Sequence, residues 1–176
     1  MTADRIADVE ARLARLEDER AIRHLISAYC YHADSGHDEE LANLFTPEGI
    51  LGSKVAGEAH AAVGADQISA QISDPNGHHR PDLYRHGLHL LGENLVVDVA
   101  GDTATASSYS LLVLKRESEL VIYSASSNRW SLQRLGGIWR IAERSRRPVA
   151  DEDFDEVLLS SVATEPTDRA GGRRQE

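Results

Sequence analysis

The sequence predicts an α+β fold in which N-terminal helices cover one face of a curved antiparallel sheet. Three observations support this prediction. Helical periodicity dominates the first third of the chain, apolar and polar residues alternate from about residue 85 to residue 147, and turn residues separate the alternating segments. A group of helices followed by a run of strands is typical of the α+β class. With 176 residues, the chain is long enough for one domain around one hydrophobic core.

The first third of the chain is predicted to contain two helical segments. In the first, apolar residues recur with the spacing three, four, three and form a narrow stripe: Ile6, Val9, Leu13 and Leu16. The apolar pattern then shifts to another face, so a second segment, or a bend, is predicted to begin near Asp18 and to continue to about Asp34. Ser35 and Gly36 supply its stop. We expect the stripe to pack on its own domain, with a neighbour's helix as the alternative partner.

Shorter elements and a strand-rich region follow. The pattern predicts a short helix over residues 38–44, a turn over 46–49 and an extended piece over 50–55. A second helix over residues 65–72 and a loop over 73–82 follow. Four long extended segments are predicted next, over residues 86–98, 103–115, 119–134 and 137–147. Their short connections contain turn residues, so the segments should form an antiparallel meander. Residues 151–160 are predicted to form a closing helix, and the polar tail from about residue 162 is predicted to be disordered.

Composition excludes several classes of protein. The formal net charge is −10, which repels a phosphate backbone, so no nucleic-acid partner is expected. No apolar run approaches the roughly 18–20 residues of a membrane span, and the charged N-terminal segment lacks the apolar stretch of a secretion signal. A single cysteine excludes an internal disulfide and a cysteine-based zinc site. We therefore expect a cytoplasmic protein without a membrane partner.

Asp34 and a histidine of the first long strand are candidate acid–base residues. Asp34 ends an apolar helical face, which it is predicted to share with Cys30 and Tyr31; a carboxylate there could also simply cap the helix. Strict alternation places His86 and His89 on opposite faces of the strand, so one of them should face the hollow between helices and sheet. For the same reason these histidines are not expected to share a metal ion, and no metal site is predicted.

The third long segment has a mixed face. It is apolar at both ends and polar in the middle, in the order Leu120, Ile122, Ser124, Ser126, Asn128, Trp130 and Leu132. Hydrogen-bonding groups need partners when they are buried. Either the segment is an exposed edge, or its central polar residues line a patch inside a pocket.

Several stretches of the chain resemble one protein family in the same order and spacing. They are residues 18–25, Tyr29, Asp34, and residues 41–49, 89–94, 98–104 and 137–141. Together they resemble SnoaL-like proteins of the nuclear transport factor 2-like superfamily over roughly residues 15–147. The resemblance implies a cone-shaped α+β barrel over residues 18–150. A helical extension would precede it over residues 1–17, and a second extension, a short helix and then a disordered tail, would follow over residues 151–176.

The resemblance also implies catalytic residues. Lyase members of the family, among them scytalone dehydratase, hexachlorocyclohexane dehydrochlorinase and bile acid dehydratase, use an aspartate at the end of the long helix and a histidine on the first long strand. These positions correspond to Asp34 and His89. A tyrosine five residues before the aspartate corresponds to Tyr29, the implied donor to the substrate oxygen, with Tyr31 as the alternative.

Further residues are implied in substrate binding. A serine and an asparagine two residues apart on an inner strand correspond to Ser126 and Asn128, and an arginine near the last strand corresponds to Arg144 or Arg146. The chain carries one residue more than its relatives just after His89. If this insertion forms a bulge, His86 instead of His89 could face the pocket.

The implied activity is that of a cofactor-independent, dehydratase-like lyase. Its substrate is expected to be a hydrophobic polycyclic, aromatic or steroid-like small molecule, with no metal, flavin or nicotinamide taking part. An isomerase or cyclase using the same dyad is one alternative, and a noncatalytic small-molecule-binding or dioxygenase small-subunit-like protein is the other. Relatives form dimers or trimers through the outer face of the sheet, so we expect a homo-oligomer, with Leu112 and Leu114 in the interface if they point outward.

Overall fold

Three helices and seven strands succeed one another in the part of the chain that the computed structural model describes, residues 3–55, 58–81, 83–84, 86–92, 94–152 and 154. The helices are α1 (Ala3–Ser35), α2 (Asp38–Ala42) and α3 (Gly64–Ile72). The strands are β1 (Phe45–Val55), β2 (Glu58–Val63), β3 (Gly87–Leu91), β4 (Val96–Ala100), β5 (Thr103–Arg116), β6 (Glu119–Leu135) and β7 (Ile138–Pro148).

The strands form one curved, unclosed sheet. Their order is β2-β1-β7-β6-β5-β3, and β4 pairs with the first part of β5 while β3 pairs with its last part. Neighbouring strands are antiparallel except β1 and β7, which are parallel. Helix α1 contacts β3, β4 and β7 from one side of the sheet. The arrangement confirms the predicted α+β fold, with N-terminal helices on a curved sheet.

Helix α1 is one continuous helix of 33 residues, so the prediction of a separate second segment beginning near Asp18 is wrong. Residues 3–35 contain neither proline nor glycine. The carboxylate of Asp18 accepts two hydrogen bonds from Arg134, at 2.7 and 2.8 Å, and one from the indole nitrogen of Trp139 at 3.0 Å. The apolar pattern shifts at Asp18 because the helix is exposed up to residue 17 and begins to be buried there.

The N-terminal half of α1 is exposed. The four residues of the apolar stripe are between 43% and 62% exposed, so the expectation that the stripe packs on its own domain is wrong for the residues that the structure describes. The predicted stop of the helix is confirmed. Helix α1 ends at Ser35, and Gly36 has a φ of 70°, a left-handed conformation that glycine adopts without strain.

The hydrophobic core lies between the C-terminal half of α1 and the inner face of the sheet. Its largest members include Ile22, Ile26 and Tyr29 of α1, Phe45 of β1, and Trp130, Leu132, Trp139 and Ile141 of β6 and β7. Cys30, the single cysteine, is 4% exposed, and burial raises the pKa of its thiol to about 12. Each fully buried large apolar side chain stabilises the fold by roughly 1.5–3 kcal/mol. The second half of α1 therefore holds the helix to the sheet.

Three expectations for the early strands need correction. Residues 46–49 belong to β1 instead of forming a separate turn, and the register of β1 against β7 shifts within them. Strand β2 was not predicted. The extended segment expected over residues 86–98 is two strands, β3 and β4, interrupted at residues 92–95.

A β-bulge reverses the facing of β6 near its start. Ser124 pairs with Leu112, but Ile122 pairs with Val113, so one extra residue lies in β6 between the two pairs. An extra residue moves the preceding side chains to the opposite face of the sheet. Leu120 and Ile122 are therefore 72% and 66% exposed, and the prediction that they share a face with Ser124 is wrong.

Leu112 and Leu114 point inward. They are buried and pack against Leu83 and Val121, so the expectation that they form a subunit interface is wrong. The closing helix predicted over residues 151–160 falls outside the described residues except at 151, 152 and 154, and the tail from residue 162 falls outside them entirely. Among the described helices, none is both long enough and apolar enough to cross a bilayer.

Candidate active site

Asp34 and His89 meet where the end of α1 reaches β3. The carboxylate oxygen Oδ1 of Asp34 lies 2.5 Å from Nδ1 of His89. Both side chains are mostly but not fully buried, with 14% of the aspartate and 11% of the histidine exposed. Helical spacing carries the buried face of α1 from Ile26 and Cys30 to Asp34, and strand alternation turns His89 inward between the exposed Leu88 and Leu90.

The carboxylate of Asp34 also holds the backbone of β3. Its two oxygens accept hydrogen bonds from the amide of His89, at 2.9 and 3.1 Å. The same carboxylate thus fixes both the backbone and the imidazole of His89. Short hydrogen bonds of a carboxylate to an imidazole nitrogen are among the stronger ones in proteins.

A second histidine covers the first. His78, in the loop between α3 and β3, stacks on His89 with ring centroids 5.2 Å apart and planes inclined by 20°. Burial, together with the neighbouring His89, lowers the pKa of His78 to about 3, so its ring is neutral. The next residue anchors this loop to α2, because Nε2 of His79 lies 3.0 Å from a carboxylate oxygen of Asp38. His79 also packs against the ring of Tyr84.

The cavity beside Asp34 and His89 is small. Its volume is about 10 Å³, the size of a single water molecule. Its walls are mainly apolar or aromatic, formed by Ala33, His78, Leu83, Tyr84, Gly87 and Leu112 in addition to the aspartate and histidine. As the described residues form it, this cavity admits nothing larger than a water molecule.

Arg144 organises a second polar cluster on the inner face of the sheet. Its guanidinium donates hydrogen bonds to the hydroxyl of Tyr29 and to Oδ1 of Asn128, each at 2.8 Å. Its central carbon also lies 4.8 Å from the ring centroid of Tyr29 and 5.1 Å from that of Trp130. Asn128 donates in turn to Ser110 at 2.9 Å. The cluster is buried, with 7% of Arg144 exposed.

Arg146 lies beside this cluster, two residues further along the same face of β7. Its Nε donates to the hydroxyl of Ser126 at 2.9 Å, and its Nη2 donates to that of Ser124 at 3.2 Å. Burial and the nearby Arg144 lower the pKa of Arg146 from its usual range. The central polar residues of β6 therefore face the interior, which is the second of the two arrangements considered for this strand.

Two of the expected site residues lie away from the dyad. Tyr31 is 70% exposed, so the expectation that it shares the face of Asp34 is wrong. The buried face of α1 runs through Cys30 instead, one full turn before Asp34. Tyr29 is buried, but its hydroxyl contacts Arg144 and it does not line the cavity beside the dyad.

Sequence reasoning missed His78 as a neighbour of the dyad and left Arg146 as an alternative to Arg144. The structure places both arginines on the inner face. The signal for Arg146 was the alternation of β7, whereas the loop that carries His78 has no periodic pattern. Within the described residues, no group of three or more histidine, cysteine, aspartate or glutamate side chains is placed to hold a metal ion.

Comparison with known proteins relates the chain to one family. A family model described as a SnoaL-like domain matches residues 14–145. A solved NTF2-like protein with a cystatin-like fold from Novosphingobium aromaticivorans is 31% identical, and the match spans 89% of this chain and 99% of that protein with a TM-score of 0.79. No curated protein matches the chain.

More distant structures share the fold. A proposed scytalone dehydratase from the same organism is 23% identical, with 77% of this chain and 86% of that protein matched and a TM-score of 0.62. The beta subunit of a proposed aromatic-ring-hydroxylating dioxygenase, also from this organism, is 19% identical, with 77% and 91% matched and a TM-score of 0.63. These two similarities concern the fold alone.

Proposed function

Because the chain belongs to the SnoaL-like domain family of the nuclear transport factor 2-like superfamily, we propose that it is a cofactor-independent lyase of the dehydratase type. The substrate would be a hydrophobic small molecule with a polycyclic, aromatic or steroid-like skeleton. The observation that carries this proposal is the short, mostly buried contact between Asp34 and His89.

The hydrogen bonds of Asp34 support a definite protonation pattern. An ionised carboxylate can only accept hydrogen bonds, and Asp34 already accepts the backbone amide of His89. The imidazole therefore donates its Nδ1–H to Asp34, which leaves Nε2 with a free lone pair. Asp34 would also stabilise the imidazolium that forms when Nε2 takes up a proton.

The proposed reaction is the elimination of water next to a carbonyl group or an aromatic ring. Nε2 of His89 removes a proton from carbon, the electron pair of that C–H bond forms the new carbon–carbon double bond, and the carbon–oxygen bond to the leaving hydroxyl breaks. The imidazolium returns its proton to the leaving oxygen, so the products are an alkene and water and His89 is neutral again. One imidazole can act in both steps because Nε2 first accepts the proton and then returns it.

Tyr29 is the proposed donor to the substrate oxygen on which negative charge develops. Since Arg144 donates to the hydroxyl oxygen of Tyr29, the proton of that hydroxyl is free to be donated elsewhere. Burial, only partly offset by Arg144, raises the pKa of Tyr29 and keeps this proton in place. Such preorganised donors stabilise developing charge in a site that excludes water.

The first test measures the elimination directly. Cyclic β-hydroxy ketones of one to four rings are offered to the protein, and formation of the conjugated enone is followed by its absorbance. We expect turnover by the unaltered protein and a loss of about 10²–10⁴-fold in His89→Ala and in Asp34→Asn, the usual contribution of general acid–base catalysis. His86→Ala is the matched control, because His86 is exposed and lies three residues from His89.

Two outcomes would contradict the dyad. One is full activity in both His89→Ala and Asp34→Asn, and the other is an equal loss in His86→Ala. A ketone without a leaving group separates the lyase from an isomerase or cyclase. In deuterated water, His89 should catalyse exchange of the proton next to the carbonyl of this ketone for deuterium, which NMR detects. Only hydroxylated analogues of the ketone should go on to eliminate water.

A further inference from the structure

Arg144 and Arg146 place two positive charges on the inner face of the sheet, and neither forms an ion pair within the described residues. Arg144 and Arg146 lie on the same face of β7, and every hydrogen bond that their side chains form within the described residues goes to a neutral tyrosine, asparagine or serine. We propose that this pair binds a carboxylate of the substrate, so that the substrate is a hydrophobic organic acid. The proposal rests on the function proposed above and names its substrate class.

Arg144 supplies a fixed charge. It is held by two hydrogen bonds and two aromatic rings, and its Nε is buried without a hydrogen-bond partner in the part of the chain that the structure describes. Burying a charged group without an opposite charge is costly, because water solvates the ion far better than neutral side chains do. A bound anion would offset this cost.

Arg146 supplies the contact. Its Nε and Nη2 are used by two serines, whereas its Nη1 has no hydrogen-bond partner among the residues described. The carboxylate of Asp151 lies close enough to attract Arg146 but forms no ion pair with it within the described residues. A guanidinium with a free amino group on one edge is suited to a carboxylate oxygen.

The register of the sheet sets the distance from this pair to the dyad. His89 of β3 pairs with Leu112 of β5, which pairs with Ser124 of β6. Neighbouring strands lie about 4.8 Å apart, so Ser124, and the guanidinium of Arg146 bonded to it, lie about 10 Å from His89 along one row of the sheet. That separation exceeds the reach between a reacting carbon and its own carbonyl oxygen. It matches a carboxylate one or two fused rings away.

The test compares an acid with its neutral isostere. Naphthalene carboxylate and naphthalene carboxamide are titrated into the unaltered protein by calorimetry, and benzene carboxylate and carboxamide serve as a smaller pair. We expect the acid of at least one pair to bind about tenfold more tightly than its amide, which is the scale of one charge-assisted hydrogen-bonded contact. Arg146→Gln should abolish this preference, and Arg146→Lys should keep part of it.

The control variant is Arg140→Gln, which removes the same charge from the same strand. Arg140 pairs with the exposed Gln133, so it lies on the other face of the sheet from Arg146, and the preference for the acid should persist. Thermal melts of each variant show that it is folded.

Three results would overturn the proposal: no measurable binding of either acid, equal binding of acid and amide, or an unchanged preference in Arg146→Gln. The same titration in Asp34→Asn separates this proposal from the lyase. If Asp34→Asn still prefers the acid but the unaltered protein shows no turnover, the carboxylate site is supported and the dehydratase activity is rejected. If the unaltered protein turns over neutral ketones but shows no preference for acids, the dehydratase activity is supported and the carboxylate site is rejected.

Discussion

At the scale of single residues, His78 makes the stability of the protein depend on pH. In the unfolded chain this histidine takes up a proton near pH 6.5, whereas burial lowers its pKa in the folded protein to about 3. Between these values the unfolded state binds more protons, so the free energy of unfolding falls as the pH falls. The stabilising effect of a neutral His78 is complete above pH 6.5 and is lost progressively towards pH 3.

His78→Phe keeps an aromatic ring on His89 and cannot be protonated. We expect urea unfolding between pH 6.5 and pH 4.5 to show a shallower loss of stability in this variant, by up to about 1.4 kcal/mol per pH unit. His86→Phe removes an exposed histidine and should follow the unaltered protein. Parallel pH curves for the unaltered protein and His78→Phe would show that the ring titrates normally in the folded state.

The residues of the candidate site differ in how well the sequence predicted their positions. Strand alternation predicts that one of His86 and His89 faces the interior, and the resemblance to SnoaL-like proteins selects His89 as the partner of Asp34. The position of His78 could not be predicted, because this residue belongs to a loop and its position depends on tertiary contacts, such as the one between His79 and Asp38. The catalytic roles of all these residues stay predictions.

At the scale of secondary structure elements, the errors arose where an element changes its surroundings or its register. The apolar pattern of α1 shifts at Asp18 because one half of the helix faces solvent. In the sequence alone, this shift of pattern resembles a break between two helices. The bulge beside Tyr123 interrupts the alternation of β6, and nothing in the local sequence marks that extra residue. The packing of β6 against its neighbours determines such a bulge, so periodicity alone does not reveal it.

Substitutions at the end of α1 can measure how tightly the loop between α3 and β3, which carries His78 and Tyr84, packs against this helix. Gly36 has a positive φ, and a Cβ atom there would lie 2.5 Å from a ring carbon of Tyr84. Gly101 also has a positive φ, of 63°, but a Cβ atom there would meet no neighbour within 4 Å. Gly101→Ala therefore carries the backbone cost alone, about 1 kcal/mol, and Gly36→Ala carries that cost plus a steric clash.

We expect Gly36→Ala to lower the free energy of unfolding by at least about 1 kcal/mol more than Gly101→Ala does, measured by urea denaturation. The size of the difference reports how firmly Tyr84 is held. If the two variants lost the same stability, Tyr84 would move aside freely and the loop would be only loosely packed on α1.

At the scale of the whole molecule, the outer face of the sheet carries an exposed apolar surface. Leu88, Val113 and Ile122 form one row across β3, β5 and β6, and Leu90 continues the surface in the next row. Leu88, Leu90 and Ile122 are 55%, 51% and 66% exposed. Contiguous apolar surface of this kind marks an interaction site, and we propose that a second copy of the chain covers it.

Light scattering coupled to size-exclusion chromatography checks this proposal. We expect the unaltered protein to elute as a dimer or trimer, and Ile122→Glu to elute as a monomer at the same concentration, because it places a charge inside the interface. Ile138→Glu is the control, since Ile138 is 55% exposed at the start of β7, outside this surface. A monomeric mass for the unaltered protein would reject the proposed assembly.

The burial of Cys30 has a practical consequence for studying how the closed interior opens. The chain has one thiol, and that thiol lies on α1 one turn before Asp34, on the side facing the sheet. A thiol reagent can modify it only while α1 and the sheet have separated locally, because the closed state both shields the sulfur and keeps it protonated. Labelling kinetics of the unmutated protein would thus time the opening motions next to the aspartate, with no reporter group introduced.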